Sequence, residues 1–312
     1  MEQVIYLNPK SLFPTEISSN TIVGAIIQAL SEISESDIKE IISEKPPFLI
    51  SSAFPYAKSN GNKEHFFPKL IVEPSKIDTD LLRKAKKFKK VKFVHQTIFQ
   101  DWINGEISEK ELIEGIDEKY KVSNRLLMPK SLNLNFTITT IDRPHNLLNR
   151  LKSLSQEFFY STAGYFKNAG LFFMIRYSNG SYKDKIESAL RFLADRGFGG
   201  NLSIGEGEFS FKIYQGNIIG EPKDGELFTT LSLYCPTANE VGNITQGKAW
   251  YALVTRKGRS RDGIMKKSLM MFSHGSTFSR IEKDFLGKIE HVRKDPPVVE
   301  WGYAFPLRVS LK

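Results

Sequence analysis

The stretch Arg196-Gly197-Phe198-Gly199-Gly200-Asn201-Leu202-Ser203-Ile204-Gly205-Glu206-Gly207-Glu208-Phe209 constrains this chain more than any other. Five glycines fall within eleven residues. Upstream, residues 183–196 place Ile186, Ala189, Leu190 and Leu193 on one helical face. Downstream, residues 209–214 alternate like a strand. The order is helix, loop, strand. Walker-type and dinucleotide-type loops run strand, loop, helix and use a helix N-terminus. No Lys-Ser/Thr follows Gly205, and Leu202 stands where the dinucleotide fingerprint needs glycine, so both are excluded. What remains is a backbone able to take positive φ and lie against a ligand. Its N–H groups can line an anion-binding concavity without a helix dipole. A plain C-cap and turn explains Gly197 but not four further glycines.

The charge balance agrees with an anionic ligand. There are 44 basic and 35 acidic residues in 312, a net charge of +9. That favours a polyanion partner, although a solvated basic face gives the same count. Residues 83–92 hold the densest basic run, with Lys86, Lys87, Lys89 and Lys90 around Phe88. Lysines there neutralise phosphates, and Phe88, Phe93 and Phe198 are placed to stack on unpaired bases. The same run also reads as an amphipathic helix through Leu81, Leu82, Ala85 and Phe88. Cys235 is the only cysteine, which excludes intrachain disulfides and cysteine-rich zinc sites. No membrane span or signal peptide is read, so a cytoplasmic chain is expected.

Helices and strands mix without a regular βαβα beat, which predicts an α+β fold with antiparallel sheets. Strands are expected at residues 48–56, 134–141, 157–165, 171–177, 209–214 and 227–234, with a hairpin across 249–272. Neither metal-binding nor nucleophile motifs occur. Among five histidines, only His95 and His274 stand as candidate functional residues. No catalytic residue, metal or cofactor is assigned. The aromatic segments 54–56 and 301–307 are expected at partner surfaces, with a core role as the alternative.

At this point the residues resemble a family. The helix followed by Gly197-Phe198-Gly199-Gly200-Asn201-x-Ser203-x-Gly205-x-Gly207-x-Phe209 is similar to the signature loop of the RAMP superfamily of CRISPR proteins. Within it, the chain resembles the fourth-subunit family of the Csm (type III-A) effector, in the Cas-five group. Ser19-Asn20-Thr21-x-x-Gly24-Ala25, Ser52-Ala53-Phe54-Pro55-Tyr56, Phe67-Pro68-Lys69, Ile141-Asp142-Arg143, Thr230-Leu231-Ser232-Leu233-Tyr234, Gly275-Ser276-x-Phe278 and Gly302-Tyr303-Ala304-Phe305-Pro306-Leu307 match in order. Asn20 replaces an acid, Leu70 a proline, and Asn201-Leu202 an acidic–basic pair.

The resemblance implies two ferredoxin-like (RRM-like) domains with antiparallel sheets and the glycine-rich loop. Their expected bounds are 1–145, with a basic insertion at about 76–125, and 146–312. It implies a non-catalytic RNA-binding subunit that caps the 5′ repeat-derived handle of crRNA. Its expected partners are the large polymerase-like subunit and the first backbone subunit, with target RNA met indirectly and no membrane. Candidate RNA contacts are Gly197, Phe198, Gly199, Gly200, Asn201, Ser203, Gly205, Gly207, Asn20, Arg143, Lys86, Lys87, Lys89, Lys90 and His274. The competing reading is a superfamily endoribonuclease that processes precursor crRNA with a histidine from the N-terminal half.

Overall fold

The computed structural model describes residues 1–33, 37–59, 61–149, 154–199, 202–260, 263–295 and 298–312. Strand β1 (Glu2–Pro9), helices α1 (Ser19–Ile33) and α2 (Ile38–Ile41), and strands β2 (Phe48–Ile50), β3 (Phe54–Ser59) and β4 (Asn62–Pro68) come first. A mixed segment follows: α3 (Leu82–Lys89), β5 (Phe93–His95), α4 (Gln96–Ile103), α5 (Glu109–Glu114), β6 (Tyr120–Ser123) and β7 (Leu126–Pro129). A long hairpin, β8 (Thr137–Asn149) and β9 (Leu154–Lys167), leads to β10 (Ala169–Tyr177), α6 (Tyr182–Arg196) and β11 (Phe209–Gln215). The chain ends with β12 (Leu227–Thr230), α7 (Ala238–Gln246), β13 (Ala249–Trp250), β14 (Leu253–Arg256), β15 (Leu269–Phe272), β16 (Thr277–Ser279), β17 (Ile289–Arg293), β18 (Val298–Trp301) and β19 (Pro306–Val309).

The main sheet runs β11-β1-β10-β3-β4-β5-β7-β6, with β2 also paired to β10. Its pairs are antiparallel except β5–β7, which is parallel. The α+β expectation with antiparallel sheets therefore holds. The apolar run of β10 is buried along almost its whole length because both sheet faces are covered. On one face, α1 packs against α6, and Val23, Ile26, Ile186 and Leu190 join the core. On the other, Phe99 of α4 stacks on Phe67 at 4.8 Å, and Phe67 meets Phe172 of β10 at 5.5 Å. Capping boxes start α5 (Ser108 with Glu111) and α7 (Thr237 with Glu240), as local sequence dictates. A second sheet runs β13-β16-β12-β19.

The sequence expectations meet three corrections here. Residue 145 lies inside β8, and the main sheet joins β1 to β10 and β11 across it. The expected strand at 227–234 stops at Thr230, where the buried Thr230 and Ser232 hydroxyls bond locally instead of extending a ladder. The aromatic segments 54–56 and 301–307 are core: Phe54, Tyr56, Trp301, Tyr303 and Phe305 are all buried. No described helix is long and apolar enough to cross a membrane.

Candidate nucleic-acid interface

Helix α6 ends where Gly197 takes φ +92°, its N–H still bonded to Leu193 O at 2.8 Å. The two ends of the loop then bond to each other and to the segment after β1. Phe198 N–H donates to Gly207 O at 2.9 Å, and Gly207 N–H to Leu12 O at 2.8 Å. A Cβ at Gly207 would lie 2.3 Å from Phe198 O, and one at Gly197 2.7 Å from Leu202 Cδ2. These two glycines hold the loop's shape. Gly199 (φ +123°) and Gly205 (φ +80°) differ: both are exposed, with no atom closer to a Cβ than Pro14 Cγ at 3.9 Å from that of Gly199. Ser203 is exposed on a 3₁₀ turn, Leu202–Ile204. Gly200 and Asn201 lie outside the described residues.

The expected amide cradle is therefore smaller than the glycine count implies. Gly205 N–H bonds Leu202 O at 3.1 Å and Gly207 N–H is taken by Leu12, so neither is free for a phosphate. Phe198 is also not splayed for stacking. Its ring is half-buried and packs on Phe13, with centroids 5.9 Å apart.

The root of the β8–β9 hairpin lies against this loop. Phe13 and Gly164 exchange backbone hydrogen bonds at 3.0 and 2.8 Å. A Cβ at Gly164 would sit 2.3 Å from Thr15 Cγ2, so only glycine lets the hairpin approach so closely. Arg143 Nη1 donates to Glu206 Oε1 at 3.2 Å, joining β8 to the loop. The carboxylate is buried and the guanidinium remains half-exposed. Loop, hairpin root and the post-β1 segment together enclose a hollow of about 140 Å³. Its lining includes Pro14, Thr162, Ala163, Phe198, Gly199 and Glu206.

Farther out, β9 presents Phe158, Phe159 and Tyr160 with 62%, 50% and 65% exposure. His145 stacks on Phe159 with centroids 5.1 Å apart, and Phe158 meets Tyr160 edge-on at 5.3 Å. The sequence marked these residues as an aromatic strand but not as a site. The available signal was aromatics on consecutive residues, hence on both faces. A half-buried strand needs them on only one.

Other candidates sit elsewhere. Asn20 is buried, its Nδ2 bonding Glu300 Oε2 at 2.5 Å, so it organises the interior. Phe88 is buried beneath α3 beside Trp102, at 6.1 Å, and so does not stack on bases. Lys87 pairs with Asp117 at 2.6 Å and Lys84 with Glu118 at 2.7 Å. Lys86, Lys89 and Lys90 are exposed on the basic end of α3. None of the four run lysines lines the hollow.

Three of the five histidines are packed against other side chains. His65 bonds Tyr6 Oη and Gln96 Oε1, both at 2.8 Å. His95 caps α4 and meets Glu64 at 3.0 Å. The His274 ring packs edge-on against Phe54 at 5.5 Å and parallel to Phe93 at 6.4 Å, and it does not line the hollow. Burial lowers all three pKa values, to about 4 for His65 and His274. In the unfolded chain these imidazoles take up protons near pH 6.5. Stability should thus be full above about pH 6.5 and fall as the pH drops toward 4. Urea midpoints at pH 7.5 and pH 5.0 check this, and equal midpoints would count against it. Among the described residues no group of three or more His, Cys, Asp or Glu is arranged to hold a metal.

The chain has clear relatives. Residues 223–309 match the family model described as the CRISPR Csm4 C-terminal domain. The chain is 26% identical over 317 residues to CRISPR system Cms protein Csm4 of Thermococcus onnurineus (strain NA1), covering 98% of this chain and 96% of that protein. Its fold is similar to a chain in the crystal structure of a Csm3–Csm4 subcomplex of a type III-A CRISPR-Cas interference complex. That match has a TM-score of 0.68 at 17% identity and covers 99% of both chains. A crystal structure of a Csm1–Csm4 cassette with AMPPNP gives a TM-score of 0.61 at 22% identity, covering 100% of this chain and 98% of that one. The resemblance read from the motifs is thus supported along the length of the molecule: residues 223–309 match the Csm4 C-terminal domain model, and the whole chain is similar in sequence to a Csm4 protein and in fold to a chain of a type III-A Csm3–Csm4 subcomplex.

Proposed function

We propose that the chain is the crRNA handle-holding subunit of a type III-A (Csm) effector complex. It grips the 5′ repeat-derived handle where glycine loop, post-β1 segment and hairpin root meet. That convergence is the observation that carries the reading. Gly199 leaves room for a sugar-phosphate chain to approach the backbone. Arg143, held by Glu206, offers the rest of its guanidinium to phosphate. Such contacts position RNA without reading its sequence. The exposed Phe158, Phe159 and Tyr160 supply stacking faces for splayed bases.

In this reading the partners are a large polymerase-like subunit and a backbone subunit. The relatives' Csm1–Csm4 and Csm3–Csm4 structures support that assignment. The chain is cytoplasmic, meets target RNA indirectly and contributes no catalyst. Of the N-terminal-half histidines, His65 and His95 are buried and hydrogen-bonded, which disfavours them as the catalyst of the endoribonuclease alternative and leaves it only the partly exposed His145. The fold is read as two ferredoxin-like units. The first joins β1, α1, β2 and β3 to β10, α6 and β11, with residues 60–168 inserted, which replaces a boundary at residue 145. The second is built from β12, α7, β13, β16 and β19, with no helix before its last strand among the described residues.

The test uses the assembled complex carrying Phe158→Ala, Phe159→Ala and Tyr160→Ala, and separately Gly199→Val. The expected result is normal protein assembly with crRNA lost or its 5′ end trimmed. Full-length crRNA with an intact 5′ end in both complexes would refute the proposal.

A further inference from the structure

The insertion covers the sheet face around β10, β3 and β4, and Val4 and Tyr6 of β1 are buried, but the edge strand β11 keeps exposed residues. In the register, Asn8 faces Ser210, Tyr6 faces Lys212 and Val4 faces Tyr214, so Ser210, Lys212 and Tyr214 share one face of β11. Lys212 is exposed and Tyr214 is half-exposed on that face. From the far side of the sheet, Lys63 of β4 reaches over and places Nζ 4.2 Å from the Tyr6 ring centroid. Lys58 stands directly opposite Lys63 across the β3–β4 pair.

These lysines differ from those that the fold has paired. Lys84, Lys87, Lys185, Lys283 and Lys288 each hold a carboxylate. Among the described residues, Lys58, Lys63 and Lys212 hold none. Burial, and then the charges of Lys212 and Lys58, pull the Lys63 pKa below its ordinary value. Like charges gathered without a counter-charge are unfavourable in the free protein. A polyanion laid across them relieves that repulsion and releases its own counterions. Tyr214 adds an aromatic face among the cations, a combination that suits unpaired bases. The strip also has a direction. Strand β11 begins at Phe209, two residues beyond Gly207, and Ser210 to Tyr214 spans about 13 Å at the usual strand rise.

We propose that the exposed face of edge strand β11, with Lys58, Lys63, Lys212 and Tyr214, is a second contact for single-stranded RNA, continuing the path that starts at the glycine loop. The proposal rests on the reading that this chain holds RNA, but it concerns a separate surface. The cations set affinity and salt dependence, and the Tyr214 ring selects single strand over duplex. An acidic protein partner is the competing occupant.

The experiment uses the full-length chain and a fluorescein-labelled 12-nucleotide oligouridine, with anisotropy read across a salt titration. The triple variant Lys58→Glu, Lys63→Glu, Lys212→Glu should weaken binding about tenfold or more and reduce the salt slope by about 2, since each phosphate contact on single strands contributes roughly 0.7. Tyr214→Ala should weaken single-strand binding several-fold and leave a 12-base-pair duplex unchanged. Circular dichroism confirms the fold of each variant, and the milder Lys212→Gln replaces the triple if that does not fold. Wild-type affinity and slope in the charge variant would overturn the proposal. So would intact RNA binding combined with loss of a protein partner from the assembled complex. Gly199→Val serves as the control: if it alone loses RNA, the loop reading stands and the strip falls. If only the strip variants lose RNA, the strip stands and the loop reading falls.

Discussion

Gly207→Val should destabilise the protein by about 2–5 kcal/mol, the sum of a positive-φ cost and a steric overlap. The new Cβ would lie 2.3 Å from Phe198 O and 3.0 Å from Leu202 Cδ2, at φ +84°. Relief requires moving the Phe198 peptide, which breaks its hydrogen bond to Gly207 O and loosens the contact with Leu12. The neighbouring Gly205→Ala meets nothing within 4 Å and bears only the conformational cost, about 1–2 kcal/mol. Urea denaturation of both variants checks the pair. Equal midpoints would show that the loop is not held from its ends.

An effect of similar size is expected at Glu240. This carboxylate is buried inside the C-terminal unit and accepts from Thr237 N at 2.9 Å, Gly287 N at 3.0 Å, Tyr234 Oη at 3.2 Å and Lys283 Nζ at 2.7 Å. Glu240→Ala leaves three of those donors without a partner in a buried region. At about 1–3 kcal/mol for each, the loss should reach about 3 kcal/mol or more. Lys283 is half-exposed and recovers water, so it adds little. Burial alone would raise the Glu240 pKa, but Lys283 and the Thr237 and Gly287 amides outweigh it and hold it below the ordinary value. The depressed pKa gives stability that is present above the ordinary carboxylate range and lost as pH falls through the folded value. Thermal melts of wild type and Glu240→Gln across pH 2–6 should converge at the acid end. A constant gap would contradict the account.

Local patterns were legible where short-range physics decides them. The face of Ile186, Ala189 and Leu190 foretold α6, and alternation foretold β11. The glycine loop was legible as a turn with unusual φ. Which of its amides remain free was not, because that depends on Leu12, nearly two hundred positions earlier. The lysine run showed its charge, but not that Asp117 and Glu118 fold back to neutralise Lys87 and Lys84. Phe88 read equally well as a stacking ring or as core, and only the position of Trp102 separates the two. The Arg143–Glu206 pair joins residues 63 positions apart, a relation that no window of sequence contains.

The insertion within the first sheet has a consequence for how the chain is made. Tyr177 bonds Gln3 across 174 positions of sequence. At ribosomal rates of about 5–20 residues per second, β1 waits about 8–35 seconds before β10 exists to receive it. Until then Val4, Ile5, Tyr6 and Leu7 form an apolar strand with neither neighbour, while the inserted helices are already complete. Closing so long a loop makes the final pairing slow. The nascent N-terminus is therefore the segment most in need of a chaperone, and synthesis speed, more than final stability, should govern the yield of folded protein.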